Sequence, residues 1–168
     1  MLPAYFANMA PVFVSGIFRK LDFPLDFGKK FNNQRILGDH KTFRGFFFGI
    51  LAAIVVFYMQ QILFSYNFFQ ELSLIDYDST AFFGFWIGFG ALLFDLIKSF
   101  LKRQIGIAPG KPWPFADQID YVVGALIFMS YLYVPEWFEI VLIFVISLVM
   151  TILVKHLGFW LKISGEKW

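Results

Sequence analysis

The chain has 168 residues, of which 59% are hydrophobic and only 15% are charged, and its formal net charge is +2. A soluble domain carries roughly 25% charged residues, so this chain has too few polar side chains to cover a water-facing surface. A water-soluble globular fold is therefore excluded, and at about 20 residues per crossing the length allows five membrane spans. The sequence contains no cysteine, which also excludes disulfides and thiolate metal sites.

Five apolar segments predict an all-α, polytopic membrane protein with five transmembrane helices and a single membrane-embedded domain, residues 1–168. The predicted spans cover residues 2–18, 46–66, 81–101, 119–134 and 137–154. Residues 19–45 and 102–118 are predicted to form loops on one side of the membrane. The first span contains Pro11, which is tolerated inside a membrane helix only where protein or water satisfies the freed carbonyl group.

All the basic residues fall on one side of this arrangement. The 14 Lys and Arg residues lie in residues 19–45, at the end of the third span and in the loop after it, or beyond the fifth span. The loop between the second and third spans carries Glu71, Asp76 and Asp78 but no base. The positive-inside rule therefore predicts a multi-pass protein of the cell membrane, with an external N-terminus and a cytoplasmic C-terminus.

A polar stripe is predicted on the third helix, near its cytoplasmic end. Asp95, Lys98, Ser99 and Lys102 are spaced i, i+3, i+4 and i+7, and Arg103 follows directly. Residues with this spacing share one helix face. One interpretation is a local Asp–Lys pair with lysines that extend to the membrane surface. However, an acid at this depth is costly and indicates a functional role.

Two acids begin the fourth predicted helix, after a Pro-rich loop that contains Gly110 and Lys111. Asp117 and Asp120 are three residues apart and share a helix face. A single acid here would be an ordinary partner of the helix dipole. Two acids, with Asp95 at the end of the neighbouring helix, are oxygen ligands of the kind that Mg²⁺ prefers. We therefore predict a Mg²⁺ site at these three carboxylates, facing the cytoplasm beside bases that can hold a polyphosphate.

The loop before the second predicted span places more polar residues between two glycines. Within residues 38–45, the side chains of Lys41, Thr42 and Arg44 are candidates for binding phosphate. The spacing differs from that of a P-loop, and on composition alone an ordinary positive-inside loop is an equally good interpretation. His40 is too isolated to predict a metal site, so we interpret it as an ordinary loop residue.

Several motifs resemble those of the phosphatidate cytidylyltransferases. Ser99-x-x-Lys102-Arg103, a Pro- and Gly-rich gap and Asp117-x-x-Asp120 are similar to the signature of that family. The resemblance is closest to the archaeal branch, the CDP-archaeol synthases, and it covers nearly the whole chain. The similar segments are Asn8-x-x-Pro11-Val12 and residues 24–29, 38–45, 95–100 and 109–114.

The resemblance implies a CTP-dependent cytidylyltransferase that converts 2,3-bis-O-geranylgeranylglycerol 1-phosphate to a CDP-lipid and releases pyrophosphate, assisted by Mg²⁺. The implied catalytic residues are Asp95, Asp117, Asp120, Lys102 and Arg103, and the three acids are also the implied metal ligands. The implied substrate-binding residues are Lys98, Ser99, Gly110, Lys111, Lys41, Thr42, Arg44 and Asn8. The expected partners are CTP, the isoprenoid ether-lipid phosphate and membrane lipid, without nucleic acid; the sequence does not predict an oligomeric state.

Two other classes of membrane protein agree with part of the sequence. A CDP-alcohol phosphotransferase also uses carboxylates in the membrane, but its motif needs a glycine after the second acid and a further pair of acids. Here Tyr121 follows Asp120, and the further pair is missing. A small transporter or structural subunit would explain the spans, but ion-path residues are expected near the midplane rather than gathered at one side.

Overall fold

The computed structural model describes residues 1–14, 16–68, 70–73, 75, 77 and 82–160, without the side chains of residues 72, 154, 155 and 157–159. The described residues form five α-helices: α1 Leu2–Phe13, α2 Phe43–Ser65, α3 Phe83–Gln104, α4 Ala116–Met129 and α5 Trp137–Trp160. Two short strands, β1 Lys30–Phe31 and β2 Gln34–Arg35, pair as an antiparallel hairpin, and 3₁₀ turns lie at Arg19–Leu21 and Gln70–Leu72. The predicted helical class is confirmed, with the small hairpin as an addition.

Two of these helices are long and apolar enough to cross a membrane, α2 with 23 residues and α3 with 22. Helix α5 is apolar over Trp137–Leu153. Helices α1 and α4, with 12 and 14 residues, are shorter than the ~20 residues that a single crossing requires. The apolar helices agree with a membrane protein, while the count of five spans stays a prediction.

The topology also stays a prediction, because several residues that define it lie outside the described part. These residues are Asp76 and Asp78 of the predicted external loop and Lys162 and Lys167 near the C-terminus. The same holds for Ala81 at the start of the third predicted span, and the side chain of Lys155 is likewise undescribed.

The first two helices have limits that differ from the predicted spans for local reasons. Helix α1 ends at Phe13 instead of extending to residue 18, where Phe18 has a left-handed backbone (φ 52°) that a right-handed helix excludes. Helix α2 begins at Phe43 instead of residue 46. It begins early because the Thr42 hydroxyl accepts the Gly45 N–H at 3.2 Å and caps the first turn.

The predicted loop over residues 102–118 is shorter in the structure, because both neighbouring helices extend into it. Helix α3 continues to Gln104, so Lys102 and Arg103 are helical. Helix α4 begins at Ala116, so Asp117 lies in its first turn, and it ends at Met129 rather than at residue 134. The two ends that carry the polar residues are therefore helical, which fixes the direction of those side chains.

Helices α3 and α4 touch through their backbones at Gly90 and Gly124. A Cβ on Gly124 would lie 2.1 Å from the Gly90 carbonyl oxygen, and a Cβ on Gly90 would lie 2.5 Å from the Gly124 carbonyl oxygen. Only glycine permits such an approach. Because Asp95 follows Gly90 and Asp120 precedes Gly124 by one to two helical turns, this crossing brings the two acidic helix ends together.

Helix α2 packs against α1 and α3 through small residues as well. A Cβ on Gly88 would meet the Ala53 Cβ at 2.4 Å, and one on Gly49 would meet the Ala7 carbonyl oxygen at 2.8 Å. Close approach through small residues is typical of helix packing in membranes. The core beneath the polar helix ends includes Phe57, which is buried between these helices.

Candidate active site

The charged residues of α3 and α4 converge on one ammonium group. Lys98 Nζ lies 3.0 Å from Asp95 Oδ1, 3.2 Å from Asp117 Oδ1 and 2.8 Å from Asp120 Oδ2. None of these four side chains is more than 20% exposed. The structure thus brings together the three predicted carboxylates and places a lysine among them.

Asp117 is fixed by further donors on its other side. Lys102 Nζ donates to both carboxylate oxygens, at 3.1 and 2.9 Å, and the Trp113 backbone N–H donates to Oδ2 at 2.6 Å. Lys102 Nζ also donates to the Lys111 carbonyl oxygen at 2.6 Å. These bonds tie the loop between α3 and α4 back onto the helix ends, so that Asp117 lies beside Lys98.

Asp95 receives a second lysine from a distant part of the chain. Lys41 Nζ donates to Asp95 Oδ2, while Lys98 Nζ donates to Oδ1 of the same carboxylate. The loop before α2 therefore closes over α3, and this contact joins its predicted phosphate-binding residues to the predicted metal ligands.

Asp120 has the least complete set of partners among the three acids. Its Oδ2 atom is buried, and the Lys98 ammonium lies 2.8 Å from it. Because this contact is to the end of a flexible lysine side chain, a bound divalent cation can take its place at this oxygen.

The larger of two clefts at these helix ends has a volume of about 210 Å³. Its lining residues are Leu37, Gly38, His40, Lys41, Lys98, Ser99, Lys102, Arg103, Pro109 and Gly110. Arg103 is buried, and in the described part of the chain its Nε and Nη1 atoms have no hydrogen-bond partner. The cleft therefore offers several cationic donors, which is the chemistry that binds a polyphosphate.

The smaller cleft, of about 40 Å³, lies on the other side of Lys41. Its lining residues are Pro11, Leu25, His40, Lys41, Thr42, Gly45, Phe46, Leu92, Asp95 and Leu96. Most of these residues are apolar and come from α1, α2 and α3. Lys41 and His40 line both clefts, so they form the wall that separates a strongly basic space from a mainly apolar one.

Sequence reasoning missed the position of His40. We interpreted it as an ordinary loop residue, whereas the structure places it in the walls of both clefts. The available signal was its place directly before Lys41 in the segment 38–45, which resembles a family motif. Isolation from other metal-binding side chains argues against a metal ligand but not against a contact with substrate.

Three predicted substrate-binding residues do not line either cleft as the described residues define them. Arg44 is directed into the loop after α1, where Nη1 donates to the Ile17 carbonyl oxygen at 3.1 Å and Nη2 pairs with Asp22 at 2.9 Å. Asn8 is half-buried on α1, and the Lys111 side chain is exposed. Their roles in substrate binding stay predictions without a supporting contact.

The acids suit Mg²⁺ in chemistry but do not form a finished coordination sphere. Within the described residues, no three His, Asp or Glu side chains are placed to share one metal ion. Instead Asp95, Asp117 and Asp120 share the Lys98 ammonium. Three hard carboxylate groups in one place fit a divalent cation, which would require Lys98 to move.

A separate ion-pair network holds the loop that carries His40 and Lys41. Asp26 is paired with Arg35, which donates through Nη2 at 2.9 Å and Nε at 3.3 Å, and Arg35 Nη1 also contacts Asp39 at 2.6 Å. The backbone N–H groups of Gly28, Leu37 and Gly38 donate to the same Asp26 carboxylate. Burial alone would raise the pKa of Asp26, but these donors, with Arg35 first, outweigh it and lower the pKa to about 2.

Comparison with a solved structure defines the class of protein. The structure of "an intramembrane enzyme for archaeal membrane lipids biosynthesis" superimposes with a TM-score of 0.76 and 31% sequence identity, over 92% of this chain and 89% of that one. A likeness of this extent places the chain among membrane-embedded enzymes related to that protein.

Comparison of sequences identifies the family. The family description "CarS-like: CDP-archaeol synthase" matches residues 1–168. The CDP-archaeol synthase of Methanocaldococcus jannaschii is 37% identical over 94% of this chain and 85% of its own length, and that of Methanococcoides burtonii is 35% identical over the full length of both. The chain belongs to the CDP-archaeol synthase family, which confirms the resemblance and favours an enzyme over a transporter or structural subunit.

Proposed function

We propose that this chain transfers the cytidylyl group of CTP to the phosphate of an isoprenoid ether lipid, 2,3-bis-O-geranylgeranylglycerol 1-phosphate. An oxygen of the lipid phosphate bonds to the α-phosphorus of CTP, and the bond from that phosphorus to the oxygen bridging to the β-phosphorus breaks. The products are the CDP-lipid and pyrophosphate. The observation that carries this proposal is the basic cleft of about 210 Å³ beside three clustered carboxylates, in a chain of this family.

The two clefts suggest how the substrates are divided. The larger cleft, with Lys98, Lys102 and Arg103, suits the triphosphate of CTP. The smaller cleft opens among apolar residues of three helices and has Lys41 at its polar end, which suits a lipid phosphate whose chains stay in the membrane. Lys41, in the shared wall, contacts both spaces and is the base placed to hold the two phosphates near each other.

Catalysis in this site consists of positioning and charge stabilisation. The lipid phosphate is already anionic, so it needs no general base to become a nucleophile. The bases of the larger cleft hold the developing charge of the leaving pyrophosphate, as cationic groups do in other phosphoryl transfers. Ser99, buried in the wall of that cleft, is placed to donate a hydrogen bond to a phosphate oxygen.

Mg²⁺ is the cation that this donor set fits, with Asp95, Asp117 and Asp120 as its proposed ligands. When bound, the ion would supply positive charge against the phosphate oxygens. Lys98, which now pairs with all three carboxylates, would then be free to bind a phosphate in the larger cleft. The exchange of Lys98 for Mg²⁺ would account for the clustering of one lysine with three acids.

We also propose the predicted topology, with five spans, an external N-terminus and the site on the cytoplasmic side of the cell membrane. The one-sided distribution of all 14 basic residues supports it. Large apolar side chains remain exposed along α2 and α5, for example Val55 and Met59 on α2 and Val145 on α5, as lipid-facing residues would be. A single domain over residues 1–168 follows from this arrangement.

The direct test is turnover of radiolabelled CTP by the purified protein in detergent or vesicles. We expect CDP-lipid and pyrophosphate to form in equal amounts only when the ether-lipid phosphate and Mg²⁺ are both present. Phosphate-free diether glycerol serves as the control acceptor, because it lacks the nucleophile. Label transferred to a lipid alcohol, or no transfer with any lipid phosphate, would contradict the proposed reaction.

A further inference from the structure

The segment that follows α1 and runs into the first strand of the hairpin exposes large apolar side chains. We call the segment 17–31 the aromatic–basic loop. Phe18, Phe27 and Phe31 are 57%, 68% and 52% exposed, and Leu21 and Phe23 are also exposed. Several large apolar groups close together on an exposed segment indicate a contact surface rather than scattered surface residues.

The same loop carries bases that are free of partners. Arg19, Lys20, Lys29 and Lys30 are all exposed, and none makes an ion pair with any residue that the structure describes. By contrast, Arg35 and Arg44, which hold the loop together, are paired with acids. The unpaired bases are therefore available to an anionic partner outside the chain.

Ring contacts place the aromatic–basic loop against the membrane-facing helices. Phe18 stacks on Phe48 of α2 with ring centroids 4.8 Å apart, and Phe31 lies 6.0 Å from Phe100 of α3. Beside Phe48, the exposed Phe47 continues the apolar surface of α2. The exposed rings of the loop therefore lie next to the exposed apolar surface of α2.

The loop also borders the smaller cleft. Phe23 and Phe27 pack on Phe43, at 4.6 and 5.5 Å between ring centroids, and Pro24 bridges to Thr42. Leu25 and Thr42 line the smaller cleft. A surface that binds lipid here would lie beside the proposed entrance for the lipid phosphate.

We propose that the aromatic–basic loop lies in the headgroup layer of the cytoplasmic leaflet and binds anionic lipids, with its phenylalanines among the chains and its four unpaired bases on headgroup phosphates. Aromatic side chains with basic neighbours are suited to this layer. The loop thereby concentrates anionic lipid, the substrate included, next to the smaller cleft. The inference rests on the topology under the proposed function, which places this loop in the cytoplasm.

The absence of cysteine makes this depth measurable with single-cysteine spin labels. Labels at Phe27→Cys and Phe31→Cys are compared with Val55→Cys on α2 as the lipid control and with Ala108→Cys, in the exposed loop after α3, as the water control. Vesicles contain either neutral lipid alone or neutral lipid with an anionic phospholipid. The readout is the collision rate of each label with lipid-soluble oxygen, compared with its collision rate with a water-soluble nickel reagent.

We expect both loop labels to be shielded from nickel in anionic vesicles. Their shielding should be close to that of the label at Val55→Cys and much greater than that of the label at Ala108→Cys. In a background of Lys29→Gln and Lys30→Gln, the partition of the loop into anionic membranes should weaken by about fivefold for each base removed. Loop labels as accessible to nickel as Ala108→Cys, or equally shielded in neutral and anionic vesicles, would overturn the proposal. A nickel-accessible Val55→Cys would instead indicate that the proposed topology is wrong, and no outcome depends on enzyme activity.

Discussion

The Lys98 cluster between α3 and α4 and the Asp26 network in the loop before α2 satisfy their carboxylates in different ways. Asp26 accepts from Arg35 and from three backbone N–H groups, none of which can leave without unfolding the loop. Asp95, Asp117 and Asp120 are instead paired mainly with lysine side chains: all three contact Lys98, Asp95 also contacts Lys41, and Asp117 also contacts Lys102. One backbone N–H, from Trp113, donates to this group of carboxylates, at Asp117.

This difference separates a structural network from an exchangeable one. A carboxylate surrounded by backbone donors has no capacity left for a ligand. Carboxylates paired mainly with lysine ammonium groups keep more of their oxygens available, because a flexible lysine can exchange with another cation at little structural cost. Lys98 and Lys41, which line the open clefts, belong to the exchangeable network.

The largest effect is expected from neutralising an acid of the Lys98 cluster. Asp95→Asn and Asp117→Asn keep the side-chain shape and remove one ligand charge, so each should lower turnover by at least about 100-fold. Since the residues act as a unit, the double variant should lose little more than the worse single variant. Rates of CDP-lipid formation under saturating CTP measure this, and Asp39→Asn in the loop network is the control. Losses that multiply in the double variant would break the idea of a shared site.

Replacing the shared lysine sharpens the same comparison. Lys98→Met removes the ammonium that competes with a divalent cation, so we expect tighter binding of Mg²⁺ despite a turnover lowered by about 100-fold. The measurement is the Mg²⁺ concentration for half-maximal residual activity, which should fall. An unchanged or higher Mg²⁺ requirement would mean that Lys98 and the metal do not occupy the same place.

Lys41→Ala tests the wall between the clefts. Lys41 lies outside the proposed metal ligands, and its loss removes one charge-assisted contact, so KM should rise roughly tenfold or more while excess substrate restores much of the rate. Separate titrations with CTP and with lipid phosphate give the two KM values. Arg44→Ala is the comparison, since its contacts lie within the loop. A turnover defect that no substrate concentration relieves would place Lys41 among the catalytic groups.

The helix crossing beneath the Lys98 cluster predicts a stability effect. Gly124→Ala puts a Cβ where the Gly90 carbonyl oxygen lies, which should destabilise the fold by about 1–3 kcal/mol. Thermal unfolding in detergent detects this. Gly16→Ala is the matched control, because a Cβ there meets nothing within 4 Å, and equal unfolding temperatures for the two variants would contradict the close crossing.

The smallest effect is a pH dependence from Asp26. Its folded pKa of about 2 is lower than the ~3.9 of an unfolded aspartate. The stability that it contributes is therefore fully present above pH ~4 and is lost as the pH falls toward 2. Proteolysis within the loop, measured from pH 5 to pH 3, should rise in the wild type, while Asp26→Asn should be cleaved readily at every pH. An identical, flat profile for both proteins would contradict the role of this carboxylate.

The sequence predicted those features that depend on local periodicity. The polar stripe of α3 is an example, because the i, i+3, i+4, i+7 spacing fixes a helix face whatever lies beside it, and Asp95, Ser99 and Lys102 are buried as a set. The family motifs likewise singled out Asp117 and Asp120, which contact the same lysine as Asp95 in the structure. These signals lie within one helix or one motif.

Features created by contacts between distant segments were not predictable. Nothing local to Lys41 indicates that its ammonium reaches Asp95, and nothing local to Gly90 indicates that Gly124 touches it. The hairpin strands have two residues each, which is too short for a periodic pattern. The place of Lys98 among three acids likewise depends on how closely α3 and α4 approach.

The most direct test of the central claim is Mn²⁺ binding to the purified protein, measured by electron paramagnetic resonance with and without CTP. The claim is that the acids around Lys98, and not those of the loop network, exchange a lysine for a divalent cation. Wild type and Asp39→Asn should then bind Mn²⁺ alike in the presence of CTP, and Asp117→Asn should bind it much more weakly. Unchanged Mn²⁺ binding by Asp117→Asn would contradict the account and leave Asp117 as a residue that only begins α4.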